Sequence, residues 1–122
     1  MDREKLLAYA REHFGSEPEY LWAKYPTYCV LRHTASRKWY AAVMDVPGSK
    51  LGLPENRVME ILNVKCEPIL LGSLFGTKGF LPVYHMNKSN WVTILLDGSV
   101  SDVEIRNLLI ISYDLTRGKG LT

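Results

Sequence analysis

The sequence predicts an α+β domain, a two-layer sandwich in which a mainly antiparallel sheet carries N- and C-terminal helices packed on one face. Three observations predict it. Segments near both ends repeat apolar residues at helical spacing, and the middle of the chain holds short runs of aromatic and β-branched residues. These runs do not alternate with helices as the strands of a doubly wound parallel sheet must. Length agrees, because 122 residues are enough for one domain, expected to span residues 1–122. A domain of that size buries about two-thirds of its unfolded surface and needs no metal or disulfide to fold.

Leu6, Ala10 and Phe14 recur every fourth residue with Leu7 beside them, while Glu4, Lys5, Arg11 and Glu12 face away. This is an amphipathic helix, and Gly15 ends it. Ser16-Glu17-Pro18-Glu19 is turn-rich, and the aromatic stretch from Tyr20-Leu21-Trp22 to Tyr25-Pro26 reads as a packed connector, since the proline forbids a continuing helix. Tyr28 to His33 and Lys38 to Asp45 flank the polar Thr34-Ala35-Ser36-Arg37, the pattern of a β-hairpin. Trp39 to Met44 is apolar at every position, so both its faces should be covered and it belongs near the sheet centre.

Pro47 to Arg57 reads as a long loop. In the strand-like Val58 to Cys66, Glu60, Leu62 and Val64 share one face and Met59, Ile61 and Asn63 the other. Pro68 starts a short helix running to Phe75, which Gly76 and Gly79 break. Trp91 to Leu96 is a further strand closed by Asp97-Gly98, and Ser99 or Ser101 caps a final helix bearing Ile105, Leu108, Leu109 and Ser112.

With 47% hydrophobic and 23% charged residues the chain has an ordinary globular composition, which argues against a disordered one. Met1-Asp2-Arg3-Glu4-Lys5 lacks the apolar core of a secretory signal, and the apolar stretch Ile69 to Phe75 is far short of the roughly 18 residues of a membrane span. A cytoplasmic monomer without membrane contact is expected. Cys29 and Cys66 sit in apolar segments, as buried thiols of a reducing compartment do. A net charge of +2 and a pI near 8.5 permit nucleic-acid binding without demanding it.

No metal, cofactor or catalytic residue is predicted. His13, His33 and His85 have unrelated spacings, and Cys29 and His33, four apart on a strand, stand about 13 Å from each other. The 13 acidic residues are spread evenly. Gly76-Thr77-Lys78-Gly79 lacks the glycine spacing of a phosphate loop and follows a helix instead of a strand. The sequence contains neither a G-x-S-x-G nor an H-E-x-x-H motif, so an enzyme would have to join His85 or His33 to a carboxylate such as Asp97. Asn87-Lys88-Ser89 fits a glycosylation pattern that matters only in a secreted chain.

The run Tyr84-His85-Met86-Asn87-Lys88-Ser89-Asn90-Trp91, then Leu95-Leu96-Asp97-Gly98-Ser99-Val100 and Ser112-Tyr113-Asp114-Leu115, resembles the signature of the MmcQ/YjbR family. Leu62 to Pro68 and Lys38-Trp39-Tyr40-Ala41 are similar to that family's strand before its short helix and to its central strand, so the resemblance covers most of residues 27 to 117. The chain departs from compact members in its longer Asp45 to Arg57 loop. The resemblance implies a CyaY/frataxin-like architecture and a double-wing DNA-binding motif, in which β-hairpins project toward nucleic acid.

On that expectation Arg32, Arg37 and Lys38 form a basic hairpin wing, and Lys88 offers its ammonium to a phosphate from the start of a later strand. His85, Asn87 and Asp97 are expected to satisfy backbone groups, and Trp91 to pack in the core. The alternative is a protein-interaction or small-ligand module using exposed aromatics such as Trp22, Tyr25 and Tyr40. The DNA reading requires cations remote in sequence to gather on one exposed side without being neutralised by carboxylates.

Overall fold

In the computed structural model, which describes residues 1–117, helix α1 (Arg3–Phe14) starts where the Asp2 carboxylate accepts the Lys5 amide at 2.9 Å. It stops where Gly15 takes the left-handed conformation at φ 66°. The expected domain of residues 1–122 extends into residues 118–122, which lie outside the described residues. Helix α2 (Pro68–Leu74) has proline in its first turn, and helix α3 (Asp102–Leu115) is capped by Ser101, whose hydroxyl accepts the Glu104 amide at 3.2 Å.

Five strands form one antiparallel sheet: β1 (Cys29–Arg32), β2 (Trp39–Pro47), β3 (Val58–Lys65), β4 (Phe80–Pro82) and β5 (Trp91–Leu95). Their spatial order is β1-β2-β3-β5-β4, so β5 is inserted beside β3 and pushes β4 to the edge. Strand β4 was not expected. The loop between β2 and β3 contains a short 3-10 helix, Gly48–Leu51, and closes on itself where the Gly48 amide donates to the Arg57 carbonyl at 2.9 Å.

All three helices lie on one face, as expected for a two-layer sandwich. Leu6 and Ala10 of α1, Leu71 and Leu74 of α2, and Ile105, Leu108 and Leu109 of α3 pack with Val43, Leu62, Val64, Val92 and Ile94 of the sheet. The opposite face is covered too, without an α-helix. There Val30, Ala42, Met44, Met59, Ile61 and Leu95 are buried beneath Trp22, Leu51, Leu53, Tyr84 and Met86, which belong to loops and the connector. The apolar run of β2 is thus matched by cover on both sides.

A bulge at Leu31/Arg32 lets Arg32 pair with Trp39 while Leu31 pairs with Ala41, leaving Tyr40 as the extra residue. Trp39 packs on the loop-covered face, whereas Tyr40 is fully buried in the helix-side core. The expectation that Tyr40 is an exposed aromatic is therefore corrected, and burial pushes its hydroxyl up to about 12. Trp91 departs in the other direction: it is only half-buried, at the end of β5. Cys29 and Cys66 are buried free thiols, the latter pushed up to about 11 by burial.

Candidate nucleic-acid interface

Antiparallel pairing decides which loops meet. Arg32 pairs with Trp39, Lys65 with Trp91, and Pro82 with Val92, so the end of β1, the start of β2, the end of β3, the end of β4 and the start of β5 all lie at one end of the sheet. The 33–38 turn and the 83–90 loop therefore leave from the same end of the sheet. Two strand spacings, about 10 Å, separate the starts of β2 and β5. Asp45, Glu60 and Asp97 belong to the other end.

The four predicted cations divide into two pairs. Glu19 is fixed beside β1 by a two-way backbone bridge to Val30, at 3.0 and 2.9 Å. Its carboxylate accepts from Arg37 Nη2 at 2.7 Å and lies 3.5 Å from Arg32 Nε, the second being an ion-pair distance without hydrogen-bond geometry. Arg32 and Arg37 are thus drawn to one acid at the end of the turn-rich segment that precedes the connector. Lys38 and Lys88 are exposed and have no carboxylate partner among the described residues. Lys65, which sequence reasoning passed over, ends β3 between them; the one signal for it was a lysine closing an apolar strand.

The 83–90 loop is held by a polar network in the sheet. Asn63 and Thr93 are direct partners across β3 and β5, and Thr93 Oγ1 donates to Asn63 Oδ1 at 2.6 Å. Thr93 Oγ1 accepts the Tyr84 amide at 2.9 Å, and Asn63 Nδ2 donates to the Tyr84 carbonyl at 3.0 Å. Both backbone groups of Tyr84 are thereby pinned over the loop-covered face. His85 follows in the left-handed region at φ 59°, uncommon for a residue other than glycine. Asn87 accepts the Ser89 amide and Asp97 the Ser99 amide, each at 2.9 Å, the backbone role expected of both.

Pinning Tyr84 brings His85 and Met86 across to Trp39. Together with Trp22, Tyr25, Tyr28 and Met44 they line a cleft of about 140 Å³. Trp22 stands nearly perpendicular to Trp39, at 74° and 5.7 Å between centroids, and to Tyr28, at 72° and 6.1 Å. A larger hollow of about 510 Å³ lies at the other end, around Arg3, Asp45, Val58 and Glu60. There Arg3 is already paired with Glu60 at 2.6 Å and lies 3.7 Å from Asp45, so its charge is neutralised within the hollow.

His33 is occupied differently. Thr116 Oγ1 directs its own proton to the Ser112 carbonyl at 2.7 Å, so it accepts from His33 Nε2 at 2.8 Å. That bond ties the hairpin to the end of α3, with Tyr113 and Arg117 nearby. His33 and His85 both belong to the lysine-bearing end and Asp97 to the other, so topology separates both histidines from Asp97. Among the described residues, no group of three histidine, cysteine or acidic side chains could hold a metal ion, and no helix is long and apolar enough to cross a membrane.

A family model described as YjbR matches residues 12–115. The chain belongs to the YjbR family. This YjbR chain is 40% identical over 117 residues to the uncharacterized protein YyaQ of Bacillus subtilis (strain 168), covering 96% of the chain and 99% of that relative. The YjbR fold recurs in a crystal structure from Pseudomonas syringae with a TM-score of 0.93 and 39% identity, covering 96% of this chain and 100% of that one. A crystal structure of a Deinococcus radiodurans protein, at 24% identity and TM-score 0.73 over 98% of this chain and 80% of that one, shares the fold.

Proposed function

We propose that this YjbR protein is a non-enzymatic DNA-binding module that lays its 33–38 turn and its 83–90 loop against the phosphate backbone. One observation carries the reading: antiparallel pairing sends two loops, remote in sequence, from the same end of the sheet, and each carries an exposed lysine without a carboxylate partner among the described residues. Lysine ammonium groups held in water at such positions are the usual means of phosphate contact. Lys65 adds a third cation between the loops. Arg32 and Arg37, shared with Glu19, act in this reading to stiffen the hairpin.

Fluorescence anisotropy with labelled DNA at low salt tests it through charge reversal. The double variant Lys38→Glu and Lys88→Glu abolishes binding while the thermal melt stays unchanged, since both side chains are exposed. Undiminished binding by that folded variant would refute the assignment of these two loops.

A further inference from the structure

The cleft between the 83–90 loop, the start of β2 and the aromatic connector has features that phosphate contact alone does not require. We infer that it receives one unstacked base of single-stranded DNA, lodged against Trp22, Trp39 and Met86 while Lys38 and Lys88 hold the phosphates on either side. This rests on the DNA reading above and narrows its ligand.

Size argues first. At about 140 Å³ the cleft is smaller than the roughly 300–1,000 Å³ of ordinary small-molecule sites, so it suits one ring system better than a whole ligand. Its lining argues next. Indole and phenol rings at steep angles to one another present both a face and an edge to a planar guest, and methionine sulfur is a favourable neighbour for an aromatic ring. His85, exposed at the mouth, offers ring nitrogens to a base edge, and its left-handed backbone is a strain of the kind that accompanies binding positions.

Charge placement then selects a strand over a free nucleotide. Lys38 immediately precedes the cleft residue Trp39, and Lys88 lies two residues beyond the cleft residue Met86, so two cations approach the cleft from different segments. A mononucleotide brings phosphate to one side only, whereas a strand brings one before and one after each base. By the two-residue alternation of strands, Lys65 and its partner Trp91 share this sheet face, continuing it with a further cation and a half-exposed indole. A duplex keeps its bases stacked and would have to surrender one to reach Trp39.

Anisotropy on the full chain at low salt, with three labelled probes, tests the inference. They are an oligodeoxythymidine of about 12 nucleotides, within the span of known single-strand sites, an equally long strand of abasic units, and a duplex of matched length. The expected result is that removing the bases weakens binding about 5- to 150-fold, the range of base–aromatic stacking. Trp22→Leu should bring the thymidine and abasic strands to equal affinity while keeping the salt dependence. Met86→Ala serves the same end if Trp22→Leu melts prematurely. Equal affinity of the wild-type protein for thymidine and abasic strands, with salt dependence retained, overturns the base site and leaves the phosphate reading intact. Absence of salt-dependent binding to all three probes overturns both.

Discussion

Thr93 Oγ1 donates a 2.6 Å hydrogen bond to Asn63 Oδ1 between directly paired residues in the middle of the sheet, and the two side chains jointly hold the backbone of Tyr84. A polar pair at such a buried place is stabilising only while every member is satisfied. Thr93→Val leaves the Asn63 oxygen and the Tyr84 amide without partners and should cost about 1–3 kcal/mol in denaturant unfolding. Combining it with Asn63→Leu should cost less than the sum of the single changes. Because the network holds the 83–90 loop, Thr93→Val should also weaken DNA binding without touching a cation.

Glu19 holds Arg32 and Arg37, so on the proposed DNA-binding reading it sets how many cations are free to meet phosphate. With Lys38, Lys65 and Lys88 available, log affinity should fall with log salt at a slope of about −2.7, a loss of about 40-fold between about 50 and 200 mM. Glu19→Gln releases Arg32 and Arg37 from their shared partner, so the slope should steepen toward about −4.5 and low-salt affinity should rise. A salt titration of both proteins decides it, and an unchanged slope in Glu19→Gln would count against Arg32 and Arg37 as a latent reserve.

Burial pushes the His33 imidazole below its ordinary value; Lys38 and Arg117 act in the same direction, while the Tyr113 backbone and Asp114 oppose it. Folding therefore favours the neutral ring, which donates from Nε2 to Thr116. As pH falls through the ordinary histidine value of about 6.5, the unfolded chain takes up a proton that the folded one resists. The contribution is present above that value and declines below it, so thermal melts should shift down between about pH 7 and 5. His33→Gln should flatten that decline. Asp97 is separate: burial raises its carboxyl, but hydrogen bonds from Ser99 outweigh this and leave it below its ordinary 3.8, so its contribution is lost only at still lower pH.

Two glycines should respond with opposite sign to alanine. Gly79 has φ 94°, and an added Cβ would stand 2.5 Å from Val100 Cγ2, so Gly79→Ala should destabilise by about 1–3 kcal/mol and loosen the start of β4. Gly72 lies within α2 with nothing within 4 Å of an added Cβ, so Gly72→Ala should stabilise by about 0.5–1 kcal/mol. Denaturant midpoints of the two variants give the comparison.

The elements that depend on local pattern were legible in the residues. The four-residue period of Leu6, Ala10 and Phe14 gives α1, the wholly apolar Trp39 to Met44 gives a strand covered on both faces, and Ser99 or Ser101 gives the start of α3, which the structure places at Ser101. Features that depend on distant partners were not. Strand β4 is three residues long and exists because Phe80 and Pro82 find Ile94 and Val92. Tyr40 is inward because a bulge rotates it, a shift that no alternation count displays. Of the interface, the two basic loops could be named, but Glu19 lies 13 residues before Arg32 and reaches it only through the backbone bridge to Val30. The aromatic cleft was hidden for the same reason, since Met86 meets Trp39 only after Asn63 and Thr93 pin Tyr84.

Backbone amide chemical shifts recorded while DNA is added at low salt ask directly which end of the sheet the ligand touches. The expected perturbations fall on residues 33–39, on Lys65 and on residues 83–91, and fade as salt is raised. Spectra that stay unchanged, or shifts centred instead on Asp45, Glu60 and Asp97, would contradict the account.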